Sequence, residues 1–520
     1  MMPALQPDRG VTLRSLLIDL IEPAKLAAVG QRVVDGIAQD SREVGPNYLF
    51  IAVSGAVSHG LEYVEEAVAA GATVILCDDS ADECRPMLDA VDEQVLCLQL
   101  EGLKNHIGLI ASRFFGHPSR DLKLIGVTGT DGKTSVSHYL AQCLHTPASP
   151  CGLLGTLGNG LMPNLRSTGL TTASAVQVQR SLAELVAEGA RTAAMEVSSH
   201  GLDQGRVDAV EFDTAVFTNL SQDHLDYHGS MEAYFEAKAK LFQVTGLRSA
   251  VVNLDDAFGR LLAPRYRDRV MLCGYSLSDQ VESLAEYADH IVAAKTIRPR
   301  KHGFEVDVVT PAGPGRFELN LLGRFNVSNA LAVLAALLLS GLKLPQALRR
   351  LQAIRPVAGR MELIVVADRP TVIVDYAHTP QGIVSACAAV KEHLASKLWC
   401  VFGCGGDRDR RKRPLMAEAA EKCADRVIVT SDNPRHEDPQ SIMAEIMTGF
   451  ANPEIVDYYV DRHDAIRHAI DHAGAEDVIL IAGKGHEMFQ VIGDQRIAFD
   501  DRRIARELLE STKHGVGVHR

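Results

Sequence analysis

Short apolar runs alternate with amphipathic helical stretches along the chain, a pattern that is typical of α/β proteins. Near the start, residues 48–53 and 72–76 are predicted strands, and residues 62–70 are the helix between them. From about residue 356 the alternation returns, with predicted strands at 372–375, 398–403, 426–430 and 478–482. Strands separated by helices favour parallel, doubly wound sheets in both regions.

A strand, a glycine loop and a helix follow one another over residues 122–144, which read LKLIGVTGTDGKTSVSHYLAQCL. The loop is residues 129–134, GTDGKT, and the helix places on one face Val136, Tyr139, Leu140, Cys143 and Leu144. Such a loop offers backbone N–H groups to phosphates, Lys133 adds positive charge, and the Thr134 hydroxyl can ligate magnesium. The predicted ligand is a nucleoside triphosphate. Val127 stands where the common phosphate loop has its first glycine, so a chance glycine turn is the alternative.

Polar residues follow two further predicted strands, at 192–197 and 214–217. Glu196 lies at the end of the first strand, and His224 and His228 come after the second. Because ligands bind at the carboxyl ends of strands in nucleotide-binding sheets, Glu196 and His224 are predicted to join Thr134 around magnesium. The alternatives for His224 and His228 are a zinc pair or two hydrogen-bonded core histidines.

The helix after Ser230 carries a lysine on its apolar stripe. Lys238 lies on the stripe and Lys240 points away from it; the apolar members are Met231, Tyr234, Phe235, Leu241 and Phe242. An inward ammonium near magnesium and triphosphate either pairs with phosphate or changes its charge, and carbamylation by CO2 would turn it into a carboxylate-like metal ligand. A lysine that reaches solvent along the stripe is the alternative.

Two smaller features have both a structural and a functional interpretation. Asn326 and Asn329 stand just before the apolar run 330–339, a predicted buried helix, and they either cap that helix or contact the nucleotide. Ser41 precedes the strand at 48–53, and Gly55 and Gly60 follow that strand in a loop that either approaches a ligand through its backbone or is ordinary surface.

Four polar clusters follow the four predicted strands of the C-terminal region. They are DYAHTP at 375–380, GGDR at 405–408, SDNPR at 431–435 and GKGHE at 483–487. Since the ends of parallel strands share one crevice, we predict a second ligand site there. Arg408 and Arg435 can clamp a carboxylate while Asp432 and Glu487 attract an amine, which indicates a zwitterionic ligand. Solvated loop charges are the alternative.

Composition narrows the class of protein. A chain of 520 residues needs two or three domains, and 53 Lys+Arg against 66 Asp+Glu exclude a general nucleic-acid binder. Ten cysteines without a C-x-x-C motif are typical of a reduced compartment. The longest apolar run, 330–339, is far shorter than the roughly 20 residues of a membrane span. We expect a cytoplasmic monomer.

The motifs together resemble the Mur ligases of peptidoglycan synthesis, and the resemblance covers essentially the whole chain. The motifs are GTDGKT at 129–134, EVSSHG at 196–201, DHLDYHG at 223–229, the Lys238 helix, GRME at 359–362, DYAHTP at 375–380, DNPR at 432–435 and GKGHE at 483–487. The resemblance implies three α/β domains: residues 1–115 bind a UDP-sugar, 116–355 form a P-loop ATPase-type sheet that binds ATP, and 356–520 form a Rossmann-like amino-acid-binding domain.

The resemblance also implies roles for individual residues. Those that would bind ATP are Gly129, Thr130, Asp131, Gly132, Lys133, Thr134, Ser135, Asn329, Arg360 and Asp375. Those that would bind UDP-MurNAc-dipeptide are Ser41, Thr171, Thr172, Ser198, Gln204 and Arg206. Those that would bind diaminopimelate are Arg408, Asp432, Asn433, Pro434, Arg435, Gly483 and Glu487. Lys133, Lys238 and His224 would be catalytic, with Mg2+ held by Thr134, Glu196, His224 and a carbamylated Lys238.

The implied reaction is ATP-dependent addition of meso-diaminopimelate to the D-glutamate γ-carboxylate of UDP-MurNAc-L-Ala-D-Glu, through an acyl phosphate. The DNPR form of residues 432–435 resembles the version that selects meso-diaminopimelate over lysine. The competing readings are a lysine-adding ligase, a folylpolyglutamate synthase and a nucleotide-switched binding module.

Two positions depart from the family pattern. Asp131 stands where the family usually has Asn, which places a carboxylate in the phosphate loop and is expected to weaken ATP binding. The loop at 56–60 lacks the Asp that often precedes its final glycine, which bears on the uridine contacts.

Overall fold

The structure is a computed structural model that describes residues 10–55, 58–78, 94–300, 303–393 and 396–511. The chain forms two compact units: the first is Met1–Ala293 with Leu331–Lys343, and the second is Ala294–Ala330 with Leu344–Arg520. Two residues of the unusual 56–60 loop, Ala56 and Val57, lie outside the described residues.

The first unit begins with a small parallel sheet whose strand order is β3-β4-β5-β6. It follows an antiparallel pair of short strands, β1 (Val11–Thr12) and β2 (Val33–Val34). The strands of the sheet are β3 (Gly36–Ala38), β4 (Tyr48–Ala52), β5 (Ala72–Asp78) and β6 (Leu96–Leu100). The helices are α1 (Leu13–Leu17), α2 (Pro23–Val29), α3 (Val64–Ala69) and α4 (Ile107–Phe114). The two predicted strands and the helix between them are confirmed. The helix begins later than predicted because Gly60–Tyr63 forms a 3-10 turn capped by His59.

Both faces of this small sheet are buried. Alternate residues of β4 and β5 point to opposite sides, so Leu49 and Val74 belong to one apolar cluster and Phe50 and Ile75 to another. This arrangement explains why the strands are continuous apolar runs instead of alternating polar and apolar residues.

A larger sheet of the first unit has the strand order β14-β13-β12-β11-β7-β10-β8-β9. All of these strands are parallel to their neighbours except the last, β9, which forms an antiparallel hairpin with β8. The strands are β7 (Lys123–Thr128), β8 (Cys151–Gly155), β9 (Gly158–Leu161), β10 (Thr192–Glu196), β11 (Thr214–Phe217), β12 (Ser249–Asn253), β13 (Met271–Ser276) and β14 (His290–Arg300).

The helices of this part connect the strands. They are α5 (Lys133–Leu144), α6 (Ala175–Ala187), α7 (Ser199–Asp203), α8 (Leu225–His228), α9 (Met231–Ala239), α10 (Ala257–Tyr266) and α11 (Val281–Leu284). α5 is buried around most of its circumference, whereas one buried face was predicted. In the sheet, β7 lies between β10 and β11. The glycine loop after β7 is therefore flanked by the ends of the strands that carry Glu196 and Phe217.

The second unit contains a six-stranded sheet of order β17-β18-β22-β19-β20-β21, parallel except for β17. The strands of the unit are β15 (Gly303–Thr310), β16 (Gly313–Leu319), β17 (Glu362–Ile364), β18 (Thr371–Asp375), β19 (Leu398–Phe402), β20 (Arg426–Thr430), β21 (Asp457–Tyr459), β22 (Val478–Ala482), β23 (Phe489–Ile492) and β24 (Gln495–Ala498). The remaining helices are α12 (Arg324–Leu339), α13 (Leu344–Gln352), α14 (Pro380–His393), α15 (Lys412–Cys423), α16 (Pro439–Met447), α17 (Arg462–His472) and α18 (Asp501–Glu510).

The predicted doubly wound sheet is confirmed. One apolar cluster covers the face that holds Ile373 and Leu480, and a second covers the face that holds Val374 and Ile481. β22, the parallel strand that comes last along the chain, lies between β18 and β19 in the sheet. The four polar clusters therefore follow four adjacent strands of the sheet, although the fourth is distant in sequence.

The helix predicted at 330–339 begins earlier, at Arg324. The prediction placed its start too late because the first turns are polar and the apolar run begins only at Ala330. Asn326 and Asn329 are consequently inside the helix and do not cap it. Asn326 Nδ2 donates to Leu322 O at 2.9 Å, and Asn329 Nδ2 donates to Asn326 Oδ1 at 3.2 Å. Within the described ranges, no helix has both the length and the apolar character needed to cross a membrane.

Candidate active site

The glycine loop between β7 and α5 has a backbone that only glycine tolerates at its two ends. Gly129 has φ +147° and Gly132 has φ +83°, and a Cβ at Gly129 would collide with Thr218 Oγ1. The end of β11 holds the loop in place, because Thr218 Oγ1 donates to Asp131 O at 2.6 Å and Asp131 N donates to Asn219 Oδ1 at 2.9 Å. The loop is thus shaped before any ligand arrives.

Two lysines donate to the same loop carbonyl. Lys133 Nζ donates to Gly129 O and to Thr130 O, both at 2.9 Å, and Lys238 Nζ donates to Gly129 O at 2.7 Å. Lys238 is 1% exposed, and its Nζ lies 4.4 Å from the centre of the Tyr234 ring. Burial, reinforced by the charge of Lys133, lowers the pKa of Lys238 well below its usual value.

The inward orientation predicted for Lys238 is confirmed, as is the outward orientation of Lys240. Lys240 is exposed and pairs with Asp203 at 2.8 Å. Tyr234 and Phe235 of α9 are buried, and so are Leu241 and Phe242, which lie in the 3-10 turn that follows the helix. The snorkelling alternative for Lys238 is therefore wrong.

The Glu196 carboxylate and the threonine hydroxyls around it lie beside the loop. Glu196 is fully buried at the end of β10, and its Oε2 accepts from Thr134 Oγ1 at 2.8 Å and from Thr156 Oγ1 at 3.0 Å. Thr156 N donates to Glu196 Oε1 at 2.9 Å, and Thr156 Oγ1 lies 3.0 Å from Thr171 Oγ1. Hydroxyl and carboxylate oxygens are the donors that magnesium prefers, so this group fits a magnesium ion.

Three histidines form a cluster with Tyr227 and Tyr234. The His200 ring lies 4.9 Å from the His224 ring and 5.4 Å from the His228 ring. Burial, followed by the charges of the other two histidines, lowers the pKa of His200 to about 4, and burial also lowers the pKa of His224 and of His228. Each of these shifts favours the neutral imidazole, which is the form that can ligate a metal.

His224 and His228 each lie beside a polar side chain. His228 Nε2 lies 3.0 Å from Ser199 Oγ, and His224 Nε2 lies 3.3 Å from Asp223 Oδ2. In the part of the chain that the structure describes, the converging group of three potential metal ligands is Asp461, His463 and Asp464, which includes neither of these histidines.

Residues predicted for the dipeptide lie together in the first unit. Arg206 Nη1 donates to Thr172 O at 2.7 Å, and Arg206 Nε donates to Gln204 Oε1 at 3.0 Å. Ser198 N donates to Thr172 Oγ1 at 3.0 Å, and Thr172 Oγ1 donates to Glu196 O at 3.1 Å. This group is continuous with the Glu196 site through Thr172.

Ser41 is buried near the start of the chain, where its Oγ donates to Glu66 Oε2 at 2.8 Å. The turn that carries it is tied to α6, because Gln177 Nε2 donates to Glu43 Oε1 at 2.5 Å and Arg180 Nη1 to Glu43 Oε2 at 3.2 Å. α6 begins just after Thr171 and Thr172, so the loop of Ser41 is anchored to the segment that follows the dipeptide group.

In the second unit, the clusters after β20 and β22 form one network. Lys484 Nζ donates to Glu487 Oε2 at 2.9 Å and to Asn433 Oδ1 at 3.1 Å, and Asn433 Nδ2 donates to Glu487 Oε2 at 2.7 Å. Asn433 N donates to Asp432 Oδ1 at 2.7 Å. A Cβ at Gly483 would lie 2.7 Å from Asp432 Oδ2, so glycine lets this strand end approach the carboxylate.

The two arginines predicted to clamp a carboxylate lie beside this network. Arg435 has φ +52°, and its Nη1 donates to Gly406 O at 2.7 Å. Arg408 Nη1 makes a weak contact of 3.4 Å with Asp407 O and is exposed. Among the described residues, the hydrogen-bond partners of both guanidinium groups are backbone carbonyls. Both guanidinium groups therefore retain donors for an anionic ligand.

Beneath the clusters lies a buried ion pair. Arg462 and Asp501 are both fully buried, with Arg462 Nε 2.8 Å from Asp501 Oδ1. Arg462 also donates to Ser431 O at 3.3 Å and to Ala482 O at 2.9 Å. Those carbonyls belong to the residues just before Asp432 and Gly483. Arg462 therefore fixes the backbone where the polar clusters after β20 and β22 begin.

Asn329, Arg360 and Asp375, which the resemblance assigns to ATP, all lie in the second unit. Asp375 accepts from Met361 N at 2.8 Å and from Ala377 N at 2.9 Å, and the Arg360 guanidinium lies 4.6 Å from the Tyr376 ring centre. Burial raises the pKa of Asp375, and the charge of Arg360 opposes that shift. The carboxylate is thus oriented by backbone groups.

Three family models match successive stretches of the chain: "Mur ligase family, catalytic domain" matches residues 33–113, "Mur ligase middle domain" matches 127–337, and "Mur ligase, glutamate ligase domain" matches 359–485. A protein of Ectopseudomonas mendocina is 49% identical over 93% of this chain and 96% of its own length. The chain belongs to the Mur ligase family. The predicted three-domain α/β architecture is confirmed with it.

Two of the Mur ligases that resemble this chain share one name. The Ectopseudomonas protein and a protein of Coxiella burnetii, 44% identical over 95% of this chain and 99% of its own length, are both called UDP-N-acetylmuramoyl-L-alanyl-D-glutamate–2,6-diaminopimelate ligase. A solved structure of that name has a TM-score of 0.67 and 34% identity, and the match covers 97% of this chain and 100% of the other.

Three residues of the candidate sites, Thr156, Lys484 and Arg462, were not identified from the sequence as site residues. Thr156 follows the strand β8, and its polar side chain after an apolar run was an available signal. Lys484 lies within the GKGHE motif, but nothing local indicated that its ammonium would be fully buried. Arg462 had no sequence signal, because its partners Ser431, Ala482 and Asp501 are distant along the chain.

Proposed function

We propose that this Mur ligase joins 2,6-diaminopimelate to UDP-N-acetylmuramoyl-L-alanyl-D-glutamate and converts ATP to ADP and phosphate. The observation that carries the proposal is the near full-length identity of 44 and 49% to two ligases named for these substrates. The reaction serves peptidoglycan precursor synthesis, in the cytoplasm. We assign residues 1–115 to the UDP-sugar, 116–355 to ATP and 356–520 to the amino acid, and we propose a monomer.

The chemistry has two steps. A D-glutamate γ-carboxylate oxygen attacks the γ-phosphorus of ATP, which releases ADP and forms an acyl phosphate. The neutral amine of diaminopimelate then attacks the acyl carbon, and inorganic phosphate and a proton leave as the amide forms. Positioning and charge neutralisation supply most of the catalysis in such phosphoryl transfers.

The phosphate-loop side of the site supports the first step. The first N–H groups of α5, which begins at Lys133, would face the phosphates, because those of Thr130 and Asp131 donate to Asn219. Lys133 Nζ would exchange its two loop carbonyls for phosphate oxygens. Arg206, Thr172 and Ser198 hold the muramoyl-dipeptide, whose γ-carboxylate must lie near Glu196 and Thr134. Asn329, Arg360 and Asp375 bind other parts of ATP.

Thr134 and Glu196 would hold one magnesium ion, and His224 with a carbamylated Lys238 a second. Magnesium supplies charge neutralisation on the phosphoryl group. The lowered pKa of Lys238 favours its neutral amine, and that form reacts with CO2 to give a carbamate and a proton. Its fixed position, donating to Gly129 O at 2.7 Å, keeps the nitrogen beside the phosphate loop.

The second unit supports recognition of a diamino dicarboxylic acid. Asp432 and Glu487 attract the ammonium group that does not react, and Arg408 and Arg435 bind carboxylates. Asn433 and Gly483 complete the contacts, and Pro434 shapes the turn between Asn433 and Arg435. A second carboxylate on the ligand is the reason for two arginines, because lysine has only one carboxylate for them.

The test is ADP release by the purified full-length protein, measured with each substrate omitted in turn. We expect release only when ATP, Mg2+, the UDP-MurNAc-dipeptide and meso-diaminopimelate are all present, and much slower turnover with lysine. Faster turnover with lysine identifies a lysine-adding ligase, and turnover with a folate and glutamate a folylpolyglutamate synthase. ATP binding without coupled ADP release identifies a nucleotide-switched binding module.

A further inference from the structure

The side chain of Lys484 is fully buried at the end of β22 and forms a salt bridge with Glu487. Its Nζ has three acceptors: Phe489 O at 2.7 Å, Glu487 Oε2 at 2.9 Å and Asn433 Oδ1 at 3.1 Å. An ammonium group has three N–H bonds, so every donor is used. Lys484 therefore has neither a donor nor the exposure to bind a ligand directly.

Lys484 determines which way the Asn433 amide points. Asn433 Oδ1 accepts from Lys484 Nζ and also from Val491 N, at 2.9 Å. Both partners are donors, so the oxygen must face them and the NH2 group must face the other way, toward Glu487. One Nδ2 hydrogen bonds Glu487 Oε2 at 2.7 Å, and the other has no partner among the described residues.

Lys484 also leaves one side of the Glu487 carboxylate available. Glu487 Oε2 accepts from both Lys484 and Asn433, whereas Oε1 has no hydrogen-bond partner in the described part of the chain. The side chain of Glu487 is 21% exposed, so solvent or a ligand reaches it. The salt bridge places the buried Lys484 Nζ 2.9 Å from Oε2, the other oxygen of this carboxylate.

We infer that Lys484 is a positioning residue for the diamino acid: it holds Glu487 Oε1 out toward an ammonium group and the remaining Nδ2 hydrogen of Asn433 toward a carboxylate. The two groups together match the α-amino and α-carboxyl groups of one end of an amino acid. This inference rests on the proposed function, and it assigns to Lys484 a role without ligand contact.

The β23–β24 hairpin also positions Lys484 and Asn433, because it supplies two of the backbone groups that bond them. Phe489 O accepts from Lys484, and Val491 N donates to Asn433 Oδ1. Gln490, between them, donates from Nε2 to Ser431 Oγ at 2.8 Å and to Asp432 O at 2.5 Å. Without Lys484, the hairpin still anchors the backbone of residues 431–433, so the variants described next are expected to fold.

The experiment compares Lys484→Met, which removes the charge and all three donors, with Lys484→Gln, which keeps an amide donor. Lys397→Met is the matched control, since Lys397 is an exposed lysine of the same unit. Steady-state kinetics give KM for diaminopimelate, ATP and the UDP-MurNAc-dipeptide separately. Thermal unfolding of each variant is recorded alongside.

For Lys484→Met we expect KM for diaminopimelate to rise roughly ten- to a hundredfold, the usual effect of leaving hydrogen-bonded charged groups unpaired. KM for ATP and for the dipeptide should change less than about twofold, Lys484→Gln should be intermediate, and Lys397→Met should match wild type. An unchanged KM for diaminopimelate, or an equal rise in all three KM values, would overturn the inference.

If Lys484→Met does not fold, Lys484→Gln and the hairpin variant Gln490→Met decide the question by the same split between KM values. Failure of the proposed function looks different, because the wild-type protein itself would then release no ADP with the complete substrate set. A role for Lys484 limited to general stability would lower the unfolding temperature without the selective change in KM.

Discussion

Lys238 Nζ donates a 2.7 Å hydrogen bond to the carbonyl oxygen of Gly129, the first residue of the phosphate loop. The two residues are 109 positions apart in the chain, and Lys133 donates to the same oxygen at 2.9 Å. Two amines on one carbonyl repel each other when both are charged, which is one reason why the pKa of Lys238 is lowered. The charge on the phosphate loop therefore affects the protonation of the lysine on α9.

Replacing Lys238 is expected to abolish most of the ligase activity. For Lys238→Ala we expect kcat to fall at least about a hundredfold, as when a preorganised charged group is removed from a phosphoryl-transfer site. Lys240→Ala, two residues further along and exposed, is the matched control and should keep wild-type kcat. Depleting CO2 and bicarbonate should lower wild-type activity, and added bicarbonate should restore it. Full activity in Lys238→Ala would remove the carbamate from the mechanism.

Replacing Glu196 should weaken the response to magnesium. Glu196→Gln keeps the shape and a hydrogen-bond acceptor for Thr134 but removes the charge that attracts a divalent cation. We expect the Mg2+ concentration for half-maximal activity to rise at least about tenfold, measured by ADP release over a magnesium titration. Glu188→Gln, on the exposed end of the preceding helix, should leave that concentration unchanged. Equal magnesium dependence in both variants would contradict the assignment of Glu196.

Replacing Asp131 should improve ATP binding. Asp131 is exposed in the phosphate loop, and the structure gives its carboxylate a hydroxyl partner, Ser221 Oγ at 3.4 Å. Asp131→Asn removes a negative charge that faces the triphosphate, so we expect KM for ATP to fall about two- to fivefold at low salt and less at high salt. Asp268→Asn, another exposed position of the same unit, is the control. A higher KM for ATP in Asp131→Asn would mean that the carboxylate assists binding.

Breaking the buried pair of Arg462 and Asp501 should destabilise the second unit. Arg462→Met leaves the Asp501 carboxylate buried and unpaired, and we expect the free energy of unfolding to fall by about 3–5 kcal/mol in urea denaturation. The double variant Arg462→Met/Asp501→Leu should recover a large part of that loss, because no uncompensated charge remains. A double variant no more stable than the single one would show that the bonds to Ser431 O and Ala482 O dominate.

His486 should make stability depend on pH below neutrality. Burial, then the charges of Arg360, Arg502 and Lys484, lower its pKa to about 4 in the folded protein, against an ordinary value of 6.5. Between these values the unfolded chain binds a proton that the folded chain does not, so the free energy of unfolding falls as pH drops from 6.5 to 4. We expect a smaller fall for His486→Phe, measured by denaturation at pH 7 and pH 5. His463→Phe, on α17, is the control, and equal falls in all three proteins would contradict the assignment.

Local patterns in the sequence determined the elements and the kind of chemistry. The strands at 214–217, 426–430 and 478–482 were predicted with the bounds that the structure has, because strands buried on both faces are continuous apolar runs. The helical period placed Lys238 on an apolar stripe and predicted an inward lysine, with a lysine that reaches solvent as the alternative, and only the burial of Lys238 in the structure excludes that alternative. The glycine loop was recognisable because its backbone conformation and phosphate contacts depend on consecutive residues.

Only the tertiary structure decided which of these elements meet. β22 lies between β18 and β19, and this order, which periodicity does not encode, joins Lys484 to Asn433. The sequence did not indicate the start of α12 at Arg324, because its first turns carry polar residues that local hydrophobicity assigns to a loop, although Asn326 and Asn329 are buried. Hydrogen-bond partners such as Arg462 and Asp501 are far apart along the chain. Each is the first residue of a helix, and their pairing depends on how α17 and α18 pack on the same face of the sheet, so no local pattern could predict it.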